Sequence, residues 1–281
     1  MIRLEAARAA TALDNGALTV LLPRMMADPL PRVRMVALLL AAARLGHAAV
    51  PAIRLALLDR GAVVRGEARA AMDRLEPMDF ADFYRARIGE HAVRLAEAVA
   101  GLGETGTEED ADTIAELLAH PRTRVRIAAL RALVRLVGDA AVPALTAAIG
   151  DASPAVARAA MVALRPRAAQ VDAAMLARWY VEPSEPHVRR NALSLLAAQG
   201  KWDGIAWILA ACGDLDPAIR AEGMRHLHRW RQRFNRSFTR PTAQQQERIR
   251  AALASATDAL ERSTAVWLRF VAGITTTSPT P

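Results

Sequence analysis

The densest run of chemically capable side chains is residues 225–240, Arg-His-Leu-His-Arg-Trp-Arg-Gln-Arg-Phe-Asn-Arg-Ser-Phe-Thr-Arg, with six arginines, two histidines and no acid. Arg225, Arg229 and Arg233 recur every four residues and so share one helical face. Trp230, Phe234, Arg236 and Phe238 interleave with them. Guanidiniums beside rings can hold phosphates while stacking bases, or can grip an acidic protein surface. Arg124, Arg131 and Arg135 make a second basic face upstream. At the equivalent places between the two stand Ala155, Val162, His187 and Ser194, so the stripe that a nucleic-acid backbone needs is interrupted. The arginines of both faces, with Trp230, Phe234 and Arg236, are the expected contact residues. The expected partner is a protein, with nucleic acid as the alternative. The competing reading is structural: an elongated capping helix with a solvated basic face and its rings folded onto the core.

Nothing in the sequence points to catalysis. Cys212 is the only cysteine, which excludes an internal disulfide or a cysteine-rich metal site. The six histidines (His47, His91, His120, His187, His226, His228) lack a spaced set of carboxylates. No phosphate loop, Gly-x-Ser-x-Gly or Cys/His pair occurs. No catalytic residue, cofactor, metal, membrane or small-molecule site is therefore expected.

The elements that must carry these side chains are helices. More than half of the 281 residues are apolar but only 4% are aromatic, and alanine makes up roughly a fifth. Alanine has the best helix propensity and lets helix backbones approach closely. The net charge is +8, but Lys201 is the only lysine among 37 basic residues. An Ala- and Arg-rich, Lys-poor composition follows from a GC-rich, bacterial-type genome, so global charge says little about partners. The first residues, Met-Ile-Arg-Leu-Glu-Ala-Ala-Arg, carry charge where a signal peptide needs an apolar core, and no window approaches 18 uncharged apolar residues. A soluble, cytoplasmic protein is expected.

The chain is periodic. An apolar anchor, then Arg, then a small residue three later and an apolar residue four beyond recur at Ile2, Val33, Val64, Val93 (a weaker copy), Val125, Val156, Val188 and Ile219, with Ala157 in the Arg place of one copy. The spacings are 31, 31, 29, 32, 31, 32 and 31 residues. Each anchor opens a helix, with Pro31, Pro154, Pro186 and Pro217 two residues ahead and Gly46, Gly138 and Gly200 as stops. A shorter helix precedes most of them, at about 17–27, 49–60, 107–120, 139–150, 171–181 and 201–212. One pair cannot bury its apolar face, whereas stacked pairs can. The expected fold is an all-α solenoid of antiparallel helix pairs with a period of about 31 residues.

Segments such as Asp28-Pro-Leu-Pro-Arg-Val-Arg and Asp214-Leu-Asp-Pro-Ala-Ile-Arg resemble the HEAT repeat, in its short form of about 30 residues known from phycobilin lyase subunits, over residues 1–235. The resemblance implies a binding or scaffolding module that uses the concave surface of its second helices. It also implies a ladder of hydrogen bonds, with Asp28/Arg34, Asp59/Arg65 and Asp214/Arg220 as candidates. Two HEAT-type enzyme families fit poorly. Deoxyhypusine hydroxylase needs His-Glu pairs, and here only a reversed Glu90-His91 occurs; the alkylpurine DNA glycosylases use tryptophans and an Asp, for which Trp202, Asp203, Trp207 and Trp230 supply types without the motif.

Besides the basic helix that runs past its stop at 225–240, the repeat fails in three places, at 76–90, at 104–116 and at the N-terminus. Residues 76–90 hold Phe80, Phe83 and Tyr84 without the usual first-helix pattern, and are expected to fill a gap with rings. The acids Glu104, Glu108, Glu109, Asp110, Asp112 and Glu116 read as a solvated turn, with Thr107 and Asp110 as a capping pair. Ile2 starts on a second helix, which makes a half-repeat cap, a docking surface or a late start. Residues 241–273 are expected to cap a single solenoid domain, and 274–281 to be a disordered tail.

Overall fold

A residue without an N–H starts a helix at no cost. Pro31, Pro154, Pro186 and Pro217 are each the first residue of a helix in the structure, a computed structural model that describes residues 2–90, 93–182, 185–234, 239–256 and 258–274. Among the described residues the regular structure is all helical, with no strand. The chain divides into two units, Met1–Gly138 and Asp139–Pro281.

The first unit contains α1 (Ile2–Ala9), α2 (Asn15–Met26), α3 (Pro31–Leu45), α4 (Val50–Ala56), α5 (Ala62–Leu75), α6 (Phe80–Gly89), α7 (Leu95–Thr105), α8 (Ala111–Glu116) and α9 (Thr123–Val137). They pair as α2/α3, α4/α5, α6/α7 and α8/α9, with α3 against α5 and α7 against α9. The second unit contains α10 (Val142–Ala147), α11 (Pro154–Leu164), α12 (Ala173–Val181), α13 (Pro186–Leu196), α14 (Lys201–Cys212), α15 (Pro217–Phe234), α16 (Ala243–Ser255) and α17 (Arg262–Val271). Here α10/α11, α12/α13 and α14/α15 pair, α11 stacks on α13, and α16 covers α14. These stacked pairs make the fold an all-α solenoid architecture.

The repeat is a packing rule. The anchors Val33, Val64, Val125, Val156, Val188 and Ile219 are buried, each removing a side chain from water for about 2 kcal/mol. Four residues on, Ala37, Ala68, Ala129, Ala160 and Ala192 have no exposed surface, which lets the two helices of a pair touch. Gly223 takes that place in α15, where a Cβ would lie 2.8 Å from the Ala211 carbonyl carbon.

Val93 does not follow the rule. It is 94% exposed, and Leu95 is the buried residue that opens α7. With Leu95 as anchor the neighbouring spacings become 31 and 30 residues, so the irregular 29 disappears. The Arg place is then held by Ala96, and Val99 and Gly103 follow at the helical spacing.

Residues 80–89 form a regular first helix, α6, whose Tyr84 is fully buried and donates its hydroxyl proton to the Leu57 carbonyl at 2.9 Å. The ring occupies the space left by Gly101 of α7, where any Cβ would collide with it. Gly101→Ala is therefore expected to destabilise the chain by about 1–3 kcal/mol in urea unfolding. An unchanged midpoint would mean that Tyr84 can step aside.

Two helical runs, Pro31–Ala56 and Thr123–Gly150, are long and apolar enough by composition to cross a membrane, against the sequence expectation. Neither is one straight helix. The chain turns at Gly46 (φ 54°) and at Gly138 (φ 56°), so α3 and α9 each end after 15 residues. A span of the hydrocarbon core needs about 20 residues.

The Arg ladder exists, with a different pairing from the expected one. Arg34 donates from Nη1 to the Asp28 carbonyl at 2.7 Å, capping backbone of its own repeat. Its Nε and Nη2 both reach the Asp59 carboxylate of the next repeat at 2.7 Å. Arg65 caps the Asp59 carbonyl at 2.6 Å, and Arg220 caps the Asp214 carbonyl at 2.7 Å. The Asp214 carboxylate takes Arg189 of the preceding repeat at 2.6 Å. Each Asp thus serves its own Arg by backbone and its predecessor by side chain. Burial alone would raise the Asp59 carboxyl, but hydrogen bonds from Arg34 and from the Gly61 N–H hold it below the ordinary range.

The acidic turn is only partly solvated. Thr107 and Asp110 form the expected capping box, but Asp110 is buried and accepts Arg85 at 2.7 Å. Glu104 is 10% exposed and binds both Arg65 and Arg69. Hydrogen bonds from these arginines outweigh burial, which on its own would raise the Glu104 carboxyl, and hold it low.

Candidate functional site: two basic depressions

Arg124, Arg131 and Arg135 lie on one face of α9, and the structure brings them to one groove over α5, α7 and α9 of about 500 Å³. The groove exists because its floor is short: Ala62, Ala96, Ala100 and Ala128 stand where longer residues would fill it. Arg124 reaches across to Glu97 at 2.8 Å, and Arg135 lies 3.4 Å from Glu104. Arg131 is exposed, and its guanidinium has no hydrogen-bond or ion-pair partner among the described residues. Arg60 completes the rim, a residue that the periodic pattern alone did not single out.

The second depression, about 440 Å³, lies in the other unit and is lined by α11, α13, α14 and α15. It gathers Arg229, Trp230, Arg233 and Phe234 with Arg165, Ser194 and His226. Arg165 follows α11 directly and was missed because it lies outside the dense run. Arg225 does not line it; Arg225 pairs with Glu222 one turn back, and Arg229 lies 3.6 Å from the same carboxylate. The acid-free stretch therefore has a counter-charge just ahead of it. Arg236 and Phe238, like the tail from residue 275, lie outside the described residues. Ile274, assigned to that tail from sequence, is packed into the core.

The rings are structural. Trp230 is 4% exposed, donates from Nε1 to the Lys201 carbonyl at 2.9 Å, and sits among Trp202, Phe234 and Trp267 at centroid distances of 6.1, 5.6 and 6.1 Å. This cluster, with Ile249, Leu253 and Leu268, joins α14, α15, α16 and α17. Asp203 accepts Gln245 at 2.9 Å and pairs with Arg248, tying α14 to α16. It is not aimed at a ligand.

Among the described residues His226 is the one buried histidine, with Nε2 3.2 Å from Glu222 Oε1 and 3.4 Å from Ser194 Oγ. The set looks like a catalytic triad, but both contacts fall on the same nitrogen. A triad needs the acid on Nδ1 and the nucleophile on Nε2. Burial first, then the charges of Arg229, Arg165 and Arg225, push the His226 imidazole down to about 4, against which Glu222 pulls upward. At neutral pH it is an uncharged group in a positive field. Among the described residues no three His, Cys, Asp or Glu side chains are grouped to hold a metal ion.

A family model described as HEAT repeats matches residues 89–165, from the end of α6 to just past α11. No curated protein matches the chain in sequence.

Proposed function

The chain carries HEAT repeats, and on that premise we propose that it is a non-catalytic binding module that receives an acidic segment of a partner protein in the groove over α5, α7 and α9. HEAT repeats commonly act as protein-interaction scaffolds. The observation that carries the reading is the groove itself: a floor of alanines rimmed by Arg60, Arg124, Arg131 and Arg135, with Arg131 unpaired among the described residues. Glu97 and Glu104 alternate with these arginines. Such a mosaic suits an acidic protein segment, whose carboxylates are spaced along a chain, better than a polyphosphate, which favours uninterrupted positive charge. The reading includes a cytoplasmic setting, in which a lone buried thiol such as Cys212 stays reduced.

Affinity capture from the source organism should retain a partner with an acidic surface. Arg124→Glu with Arg131→Glu should weaken that binding at least about tenfold while leaving the fold intact. Equal retention by the variant would remove the groove from the function. A gel shift of duplex DNA that falls steeply with salt and is lost in the same variant would instead select nucleic acid.

A further inference from the structure

The depression beside α15 differs from the groove in ways that point to a small ligand. Its positive rim comes from separate segments: Arg165 follows α11, and Arg229 and Arg233 stand one turn apart on α15. The Arg165 side chain makes no hydrogen bond or ion pair to any described residue. Among the described residues the Arg233 guanidinium is held only by the Phe234 ring, at 5.1 Å from its centroid. Glu222, the acid within reach of Arg229, is already engaged by Arg225 and His226. Among the described residues, the guanidiniums of Arg165 and Arg233 thus line the depression without a carboxylate such as Asp59 gives Arg34, and Arg229 shares Glu222 with Arg225 and His226.

The rest of the wall is apolar or neutral. Val162, Pro166, Ala197 and Ile208 line it, and Ser194 and His226 provide uncharged polar groups. A volume of about 440 Å³ is within the ordinary range for small-molecule sites, roughly 300–1,000 Å³. Planar guanidiniums bind phosphoryl oxygens bidentately, and a dianion suits three of them better than a single carboxylate does.

We propose that this depression is a binding site for a small phosphate monoester, with its phosphoryl group held by Arg165, Arg229 and Arg233 and its organic part against Val162, Pro166 and Ile208. The site is in the second unit and stands independently of the groove proposed for a protein partner. The low proton affinity of His226 comes first from burial and then from the positive charge of Arg229, Arg165 and Arg225, with Glu222 opposing it. A bound dianion would offset that charge and let His226 protonate more readily. The groups facing the ring are Arg225, Arg229 and Glu222 on its own helix, Arg165 following α11 and Ser194 on α13.

The test uses the full chain with phenyl phosphate as probe, followed by titration calorimetry and by NMR of the histidine rings. Saturable binding is expected, and Arg165→Ala and Arg233→Ala should each weaken it about tenfold, as loss of a charge-assisted contact does. The His226 ring should titrate at higher pH with phenyl phosphate present. Absence of saturable binding, affinity unchanged in both variants, or an unmoved His226 would overturn the proposal. So would a single-stranded oligonucleotide that binds through these arginines when phenyl phosphate does not.

Discussion

Glu104→Gln is expected to lower the stability of the chain by about 3–5 kcal/mol, the range for breaking a buried ion pair by removing one partner. Glu104 is the counter-charge for Arg65, itself 4% exposed, and for Arg69, and it lies 3.4 Å from Arg135. Glutamine keeps the shape and one acceptor oxygen but leaves two nearly buried guanidiniums without an anion. Urea unfolding should show a lower midpoint at unchanged slope. A loss below about 1 kcal/mol, the value of an exposed pair, would mean that water reaches these arginines. Replacing both partners, Arg65→Met with Glu104→Leu, should recover part of the loss, because no buried charge then lacks its partner.

The sign with pH follows from the low Glu104 carboxyl. Its ordinary value is 4.5, and the folded protein holds it lower. Its contribution is complete above the ordinary value and fades as pH falls through the folded one. The acid limb of the stability profile should therefore be shallower in Glu104→Gln.

The second large effect is on the same limb but starts nearer neutrality. In the folded chain His226 takes up its proton at about 4 instead of the ordinary 6.5. Above pH 6.5 it is neutral folded or unfolded and adds no pH dependence. Between 6.5 and 4 the unfolded chain binds a proton that the folded chain refuses, so stability falls with pH, by up to about 3 kcal/mol at 1.36 kcal/mol per pH step. The stability of His226→Asn should fall less steeply than wild type across that window. A ring that titrates near 6.5 in the folded protein would refute this, and would also remove the positive field inferred around it. Phenyl phosphate should flatten the wild-type slope, since it stabilises the protonated ring.

The fold was legible because stacking repeats the same local demand. A buried aliphatic at each anchor, an alanine one turn later and a proline at the helix start can be read without knowing what lies opposite. The family match over 89–165 falls inside that register. Val93 misled because Val-Arg is the local signature, whereas burial selects Leu95 two residues on. The ladder misled in the same way: Asp28 precedes Arg34 by six residues, but the carboxylate that Arg34 holds is Asp59, 25 residues away. Sequence distance shows a repeat's own Asp and hides its neighbour's.

The candidate sites were legible only in part. Arg124, Arg131 and Arg135 share a face because helical spacing dictates it, and they do line one groove. That Arg225 turns to Glu222 while Arg229 and Arg233 turn to a depression was not readable from a uniform run of arginines. Nor was Arg165, more than 60 residues upstream, which reaches the site because α11 and α15 both border it.

The amino-acid sequence by itself determined the helices, their pairing and their register, because those follow from apolar periodicity and from the dihedral preferences of proline and glycine. Only the tertiary structure decided which arginines are neutralised and which are left to bind. That choice depends on which carboxylates come within about 4 Å in space, and neighbouring repeats supply them as well as neighbouring residues.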